Sequence, residues 1–118
     1  MEEKRKTNDN IIMVQVKNVK GTAQEDKYII WIEGYKRLQN VPKCCPACGT
    51  SRNDLVGAHV YKVGNPATQY IVPLCPTCNN YTNEKKMTVN ENYLIPKVTV
   101  AMAWVDILME FIDSFSEK

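Results

Sequence analysis

Two C-x-x-C pairs, Cys45-Pro-Ala-Cys48 and Cys75-Pro-Thr-Cys78, constrain this chain more than anything else in it. Two thiolates separated by two residues can grip one tetrahedral ion, and Gly49 after the first pair lets the backbone turn tightly around the sulfurs. Two such pairs supply the four ligands of a closed structural zinc site, with no position left open for a substrate. The competing readings are two unligated cysteine pairs in a core, or a thioredoxin-like redox dithiol, which lacks its expected βαβ setting here. Cys44 could replace Cys45 with three residues between ligands. The commoner two-residue spacing assigns Cys45 to the metal and Cys44 to packing.

Zinc also suits the size of the chain. Its 118 residues fit a single domain, taken as 11–118, with residues 1–10 expected to form a disordered polar tail. A long loop at Lys43–Asp54 and few aromatic residues leave metal ligation to contribute several kcal/mol of folding free energy. Lys4, Arg5 and Lys6 precede only a short, broken apolar run at Ile11–Val16, so no secretion signal is expected. No apolar stretch approaches a membrane span. A cytoplasmic location follows as the expectation, and there reduced thiols make paired cysteines metal ligands rather than disulfides.

Outside the cysteines the pattern predicts an α+β fold. Residues 11–18 alternate in polarity and suit a short strand. Residues 21–26 read as a turn or loop, and 28–40 as a helix whose first half could instead be a strand. Residues 55–63 and 69–74 are rich in β-branched and aromatic side chains, with Gly64-Asn65-Pro66 as turn material between them, which predicts a β-hairpin. A short helix is expected to begin around Pro76–Thr77. Residues 100–116 have the clearest helical period. Trp104, Ile107, Leu108, Phe111, Ile112 and Phe115 form one line, and Asp106, Glu110, Asp113 and Glu117 the opposite one. Met102, Val105 and Met109 widen the apolar arc beyond a single contact surface. The arc therefore reads either as a core-covering helix or as one that also pairs with a second chain, a homodimer through residues 100–116.

The single histidine, His59, lies in the first hairpin strand, where a lone histidine is commonly a hydrogen-bonded structural residue. Its setting carries more. The order Cys45-x-x-Cys48, then Gly57-Ala58-His59-Val60, then Ile71-Val72-Pro73-Leu74-Cys75-Pro76-Thr77-Cys78-Asn79 resembles the cysteine-bearing branch of the HNH (ββα-metal) endonucleases. The resemblance covers residues 44–86. It implies a zinc-stabilised treble clef, made of a zinc knuckle, a hairpin and a short helix. It also implies that His59 is the general base and that a catalytic divalent ion, Mg²⁺ or Mn²⁺, is held by the residue before His59 and by Asn79. An Asn carbonyl orients the base in that family, a role Asn65 could fill, and Asn80 and Asn83 could add oxygen donors. Ala58 breaks the pattern, because a methyl group cannot coordinate a hard cation. Phosphodiester hydrolysis normally draws its charge stabilisation from that ion. The departure favours a retained fold with lost chemistry over an active endonuclease.

Net charge is only +2, but residues 27–97 carry nine Lys/Arg against four Asp/Glu, and residues 98–118 one against four. A basic middle fits DNA or RNA contact, with Arg52, Lys62, Lys85 and Lys86 as candidate phosphate partners and Tyr61, Tyr70 and Tyr81 as candidate stacking residues. Such a charge cluster is also the ordinary composition of a solvated face. The functional expectations are thus a zinc-binding, HNH-like, non-catalytic nucleic-acid or interaction module; a metal-dependent HNH endonuclease using His59; or a phage or mobile-element factor that binds a host protein.

Overall fold

The computed structural model describes residues 11–116, so the expected tail at 1–10 and the helix-end residue Glu117 lie outside the described residues. The architecture is α+β. Strands β1 (Met13–Asn18), β2 (Val56–Lys62), β3 (Asn65–Leu74), β4 (Met87–Asn90) and β5 (Ile95–Pro96) accompany helices α1 (Ile29–Leu38) and α2 (Lys97–Ser116). The strands form one antiparallel sheet in the order β4-β1-β2-β3-β5. No helix among the described residues is long and apolar enough to cross a membrane.

Side-chain alternation along the strands separates two cores. Val16, Ala58, Val60, Val72, Leu74, Met87 and Val89 meet Leu55, Cys45 and Cys75 on one face. On the other, Ile71 and Ile95 meet Trp31 and Tyr35 of α1 and Val100 of α2. Ala58 and His59 are neighbours in sequence, yet they serve opposite faces: Ala58 packs with the cysteine side and His59 against Trp31 of α1.

Two glycines set how closely α1 approaches its neighbours. A Cβ at Gly57 would lie 2.7 Å from Trp31 Cβ and 2.9 Å from the Trp31 backbone carbonyl carbon. One at Gly34 would lie 2.7 Å from the Val100 carbonyl oxygen. The missing methyl groups let α1 sit directly on β2 and α2 directly on α1. Gly57→Ala is therefore expected to destabilise the protein by about 1–3 kcal/mol, through overpacking against backbone that has no room to yield. Urea unfolding measures this, and an unchanged midpoint would remove the close contact.

The hairpin turn falls at Val63-Gly64, one residue earlier than expected, because Lys62 pairs with Asn65 and Gly64 takes a φ of 91°. The register then shifts between Tyr61 and Lys62. The short helix expected at Pro76–Thr77 is absent: the chain turns there and continues into β4. Asparagine side chains explain this correction. Asn80 Oδ1 accepts from the Thr82 amide at 2.9 Å, Asn83 Oδ1 accepts from the Lys85 amide at 3.1 Å, and Asn83 Nδ2 donates to the Cys78 carbonyl at 2.7 Å. These local bonds hold the backbone in turns and occupy groups that a helix would use.

Candidate metal centre and adjoining cleft

The two cysteine loops are built alike. The Gly49 amide donates to the Cys45 carbonyl at 2.8 Å, and the Asn79 amide donates to the Cys75 carbonyl at 2.9 Å. Gly49 takes a φ of 79°, the left-handed conformation that closes the first loop. Backbone amides point at the sulfurs: Cys75 N–H lies 3.4 Å from Cys45 Sγ, and Cys78 N–H lies 3.4 Å from Cys75 Sγ.

All four sulfurs lie within 4.8 Å of one another, and Cys48 Sγ is 3.7 Å from Cys75 Sγ. A tetrahedral ion with metal–sulfur bonds of about 2.3 Å needs sulfurs roughly 3.8 Å apart. Cys45, Cys48, Cys75 and Cys78 are thus placed to hold a metal ion such as zinc. Their electrostatics fit that use. Hydrogen bonds from Thr50 pull the Cys48 thiol down to about 6, whereas burial pushes the Cys75 and Cys78 thiols up. Sulfurs that resist ionisation on their own gain most from a cation among them. Cys44, expected in packing, is instead exposed, and its backbone bridges to Ser51 outside the cluster.

His59 lies on the far side of β2 and is fully buried. Its Nδ1 is hydrogen-bonded to Asp26, itself only 2% exposed, and its ring meets the edge of Trp31 with centroids 4.6 Å apart. His59 Nε2 is buried without a partner among the described residues. Asp26 thus holds the ring, whereas Asn65, the candidate from sequence, lies exposed at the hairpin end. Asp26 reaches His59 from a short 3₁₀ turn, Glu25–Lys27, and its amide bonds to the Thr22 carbonyl at 2.9 Å. The loop is pinned to β2 by the Val19 amide, which donates to the His59 carbonyl at 3.0 Å. No local sequence signal marks Asp26, which reads as one more polar residue in a turn.

Asp26 also lines a cleft of ≈ 50 Å³ between the loop after β1 and the turns after Cys78. Asn79, 7% exposed, lines it too, together with Lys17, Lys20, Tyr61 and Tyr81. Asn18 bridges the two walls, donating from Nδ2 to the Cys78 carbonyl at 3.0 Å. Asn79 and Asp26 thus share one cleft, with His59 buried behind Asp26 and outside its lining.

The structure treats the basic candidates differently. Arg52 grips Asp54 through Nε and Nη2, both at 2.7 Å, and holds that carboxyl below its ordinary range. Lys62 Nζ is 2.6 Å from Glu91 and 5.1 Å from the Tyr70 ring centroid. Both charges are thus spent within the chain. Lys85 and Lys86 are exposed beside the second cysteine loop. Lys17 and Lys20, which the sequence reading passed over, are the cations at the cleft. Set against known proteins, the chain matches no family model, no curated protein and no solved structure.

Proposed function

We propose that this chain is a zinc-stabilised, HNH-like binding module without nuclease chemistry, which takes nucleic acid at the cleft between residues 17–26 and 79–84. Zinc is the ion that four thiolates in a tetrahedral arrangement favour. The observation that carries the binding role is the cleft itself, where Lys17 and Lys20 stand beside Tyr61, Tyr81 and Asn79, Asn80 and Asn83, with Asp26 and Glu84 as its acidic lining residues. Cations position a phosphate backbone, tyrosine rings stack on unpaired bases, and amides bond base edges. A general base must come within hydrogen-bond reach of its water, and His59 is sealed beneath Asp26 and Trp31. The treble-clef and HNH resemblance rests on motif order.

A second reading keeps the chemistry. Asp26 offers the hard oxygen donor that Ala58 lacks, in the same cleft as Asn79 and in contact with His59. This endonuclease would hold Mg²⁺ or Mn²⁺ there and would need the 19–28 segment to open before His59 met water. One experiment separates the two. Labelled single-stranded and duplex DNA and RNA are titrated by fluorescence anisotropy across a salt series, with Mg²⁺ or Mn²⁺ present and products run on a gel. The binding module predicts salt-sensitive association without cleavage. Replacing Lys17 and Lys20 by Glu should weaken it at least about tenfold and flatten the salt slope. Divalent-dependent cleavage lost in His59→Ala would establish the nuclease instead. Absence of binding at low salt would reject the nucleic-acid role.

A further inference from the structure

Helix α2 has two apolar faces, and the fold uses one. Val100 and Ala103 are buried, and Trp104 Cβ comes within 3.6 Å of the Cβ position at Gly34 of α1. Further along the same side, Arg37 of α1 pairs with Glu110, Nη1 to Oε1 at 3.1 Å. At 100° per residue the flank running from about 60° to about 200° round the helix from Val100 carries Val98, Met102, Val105, Leu108, Met109, Ile112 and Phe115, all between 40% and 65% exposed, with Phe115 also meeting the Phe111 ring edge-on. These side chains offer on the order of 700 Å² per copy, near the roughly 800 Å² that each partner contributes to a standard-size interface. An isolated soluble chain rarely leaves a contiguous apolar patch of that extent open.

We infer that this face is the interface with a second copy of the chain, joined as an antiparallel helix pair. The spacing of the face makes it complementary to itself. Val98, Ala101, Val105, Leu108, Ile112 and Phe115 follow the alternating three- and four-residue steps of a coiled-coil seam, with the half-buried Ala101 shared with the Trp31–Val100 core. Laid antiparallel about its own midpoint, the seam pairs Val98 with Phe115, Ala101 with Ile112, and Val105 with Leu108. Each layer sets a smaller side chain against a larger one, the combination that fills space evenly. Side-chain size selects the direction: a parallel pair would set Phe115 against Phe115 and Ala101 against Ala101, whereas the antiparallel pair evens the layers and opposes the two helix dipoles. This inference does not depend on the nucleic-acid reading.

Sedimentation of the metal-loaded full chain over a range of concentrations tests it. The wild type is expected to dimerise at micromolar concentration. Leu108→Lys with Ile112→Lys should sediment as a monomer while retaining its metal and far-UV circular dichroism, because both side chains are exposed in the single chain. Val98→Lys and Phe115→Glu should each weaken the dimer at least about tenfold, the loss expected when one seam layer is made charged. Combined in one chain, they should restore it through opposite charges meeting across the outer layer. A wild type that stays monomeric, as it would if another protein covers this face, overturns the proposal. So does a dimer indifferent to the lysine pair, or a combined variant weaker than both singles, which is the signature of parallel pairing.

Discussion

On the proposed zinc reading, removing the metal by a strong chelator or by Cys75→Ser is expected to abolish the cooperative unfolding transition of the metal-loaded protein. Structural zinc contributes apparent binding free energies of about 10–16 kcal/mol in small zinc-finger peptides, as large as the whole net stability of an ordinary domain. Here the ligands are embedded in the packing. Cys45 and Cys75 belong to the same buried cluster as Val16, Ala58, Leu74 and Val89. Losing the ion leaves four sulfurs within 4.8 Å of one another with nothing to draw them together. The loops at 43–54 and 75–86 would then release the cluster face of the sheet. Near-UV circular dichroism and thermal melting, alongside metal quantification, measure the loss. Acid should act in the same direction, since protons compete with the metal for thiolate. A Cys75→Ser protein that melts cooperatively at the wild-type temperature would show the cluster to be dispensable.

Asp26→Ala should have the second-largest effect, a loss of about 3–5 kcal/mol, or on the order of 10–20 °C in Tm for a domain of this size. His59 is wholly buried and its Nε2 has no partner among the described residues, so within them the Asp26 carboxylate supplies the imidazole's one hydrogen bond. Truncating Asp26 leaves both ring nitrogens unsatisfied beneath Trp31. Asp26→Asn keeps an oxygen acceptor at the same point and should lose only about 1–2 kcal/mol. Calorimetry of the pair decides the matter. Equal losses in both variants would mean that the ring does not depend on that oxygen.

The sequence disclosed what local spacing can encode. The cysteine set, the strand expected over 11–18 and found from Met13, the hairpin and both longer helices have their signature within a few consecutive residues, and each is present. What it did not disclose depends on partners distant along the chain. Met87–Asn90 becomes a strand because β1 offers it an edge, with Val14 opposite Val89. Ile95–Pro96 likewise extends the sheet from Tyr70 and Ile71. Asp26 acquires its place from His59, 33 positions later. Arg52 and Lys62 looked free by composition, and Asp54 and Glu91 claim them. The apparent helix start at Pro76–Thr77 fails for a local reason that periodicity does not register, the capture of backbone groups by Asn80 and Asn83.

The strand order has a consequence for how the protein comes into being. β1 lies between β2 and β4, so the earliest of the five strands to be synthesised is flanked by two that follow much later. Until residue 62 has emerged it has neither neighbour, and until residue 90 has emerged one of its edges stays open. During that interval Met13–Asn18 is an unpaired template for any passing strand, while the hairpin and its cysteine loops can close with local contacts alone. A metal ion held by Cys45, Cys48, Cys75 and Cys78 would fix the β2–β3 hairpin from residue 78 onward, and with it the β2 edge on which the waiting strand must dock.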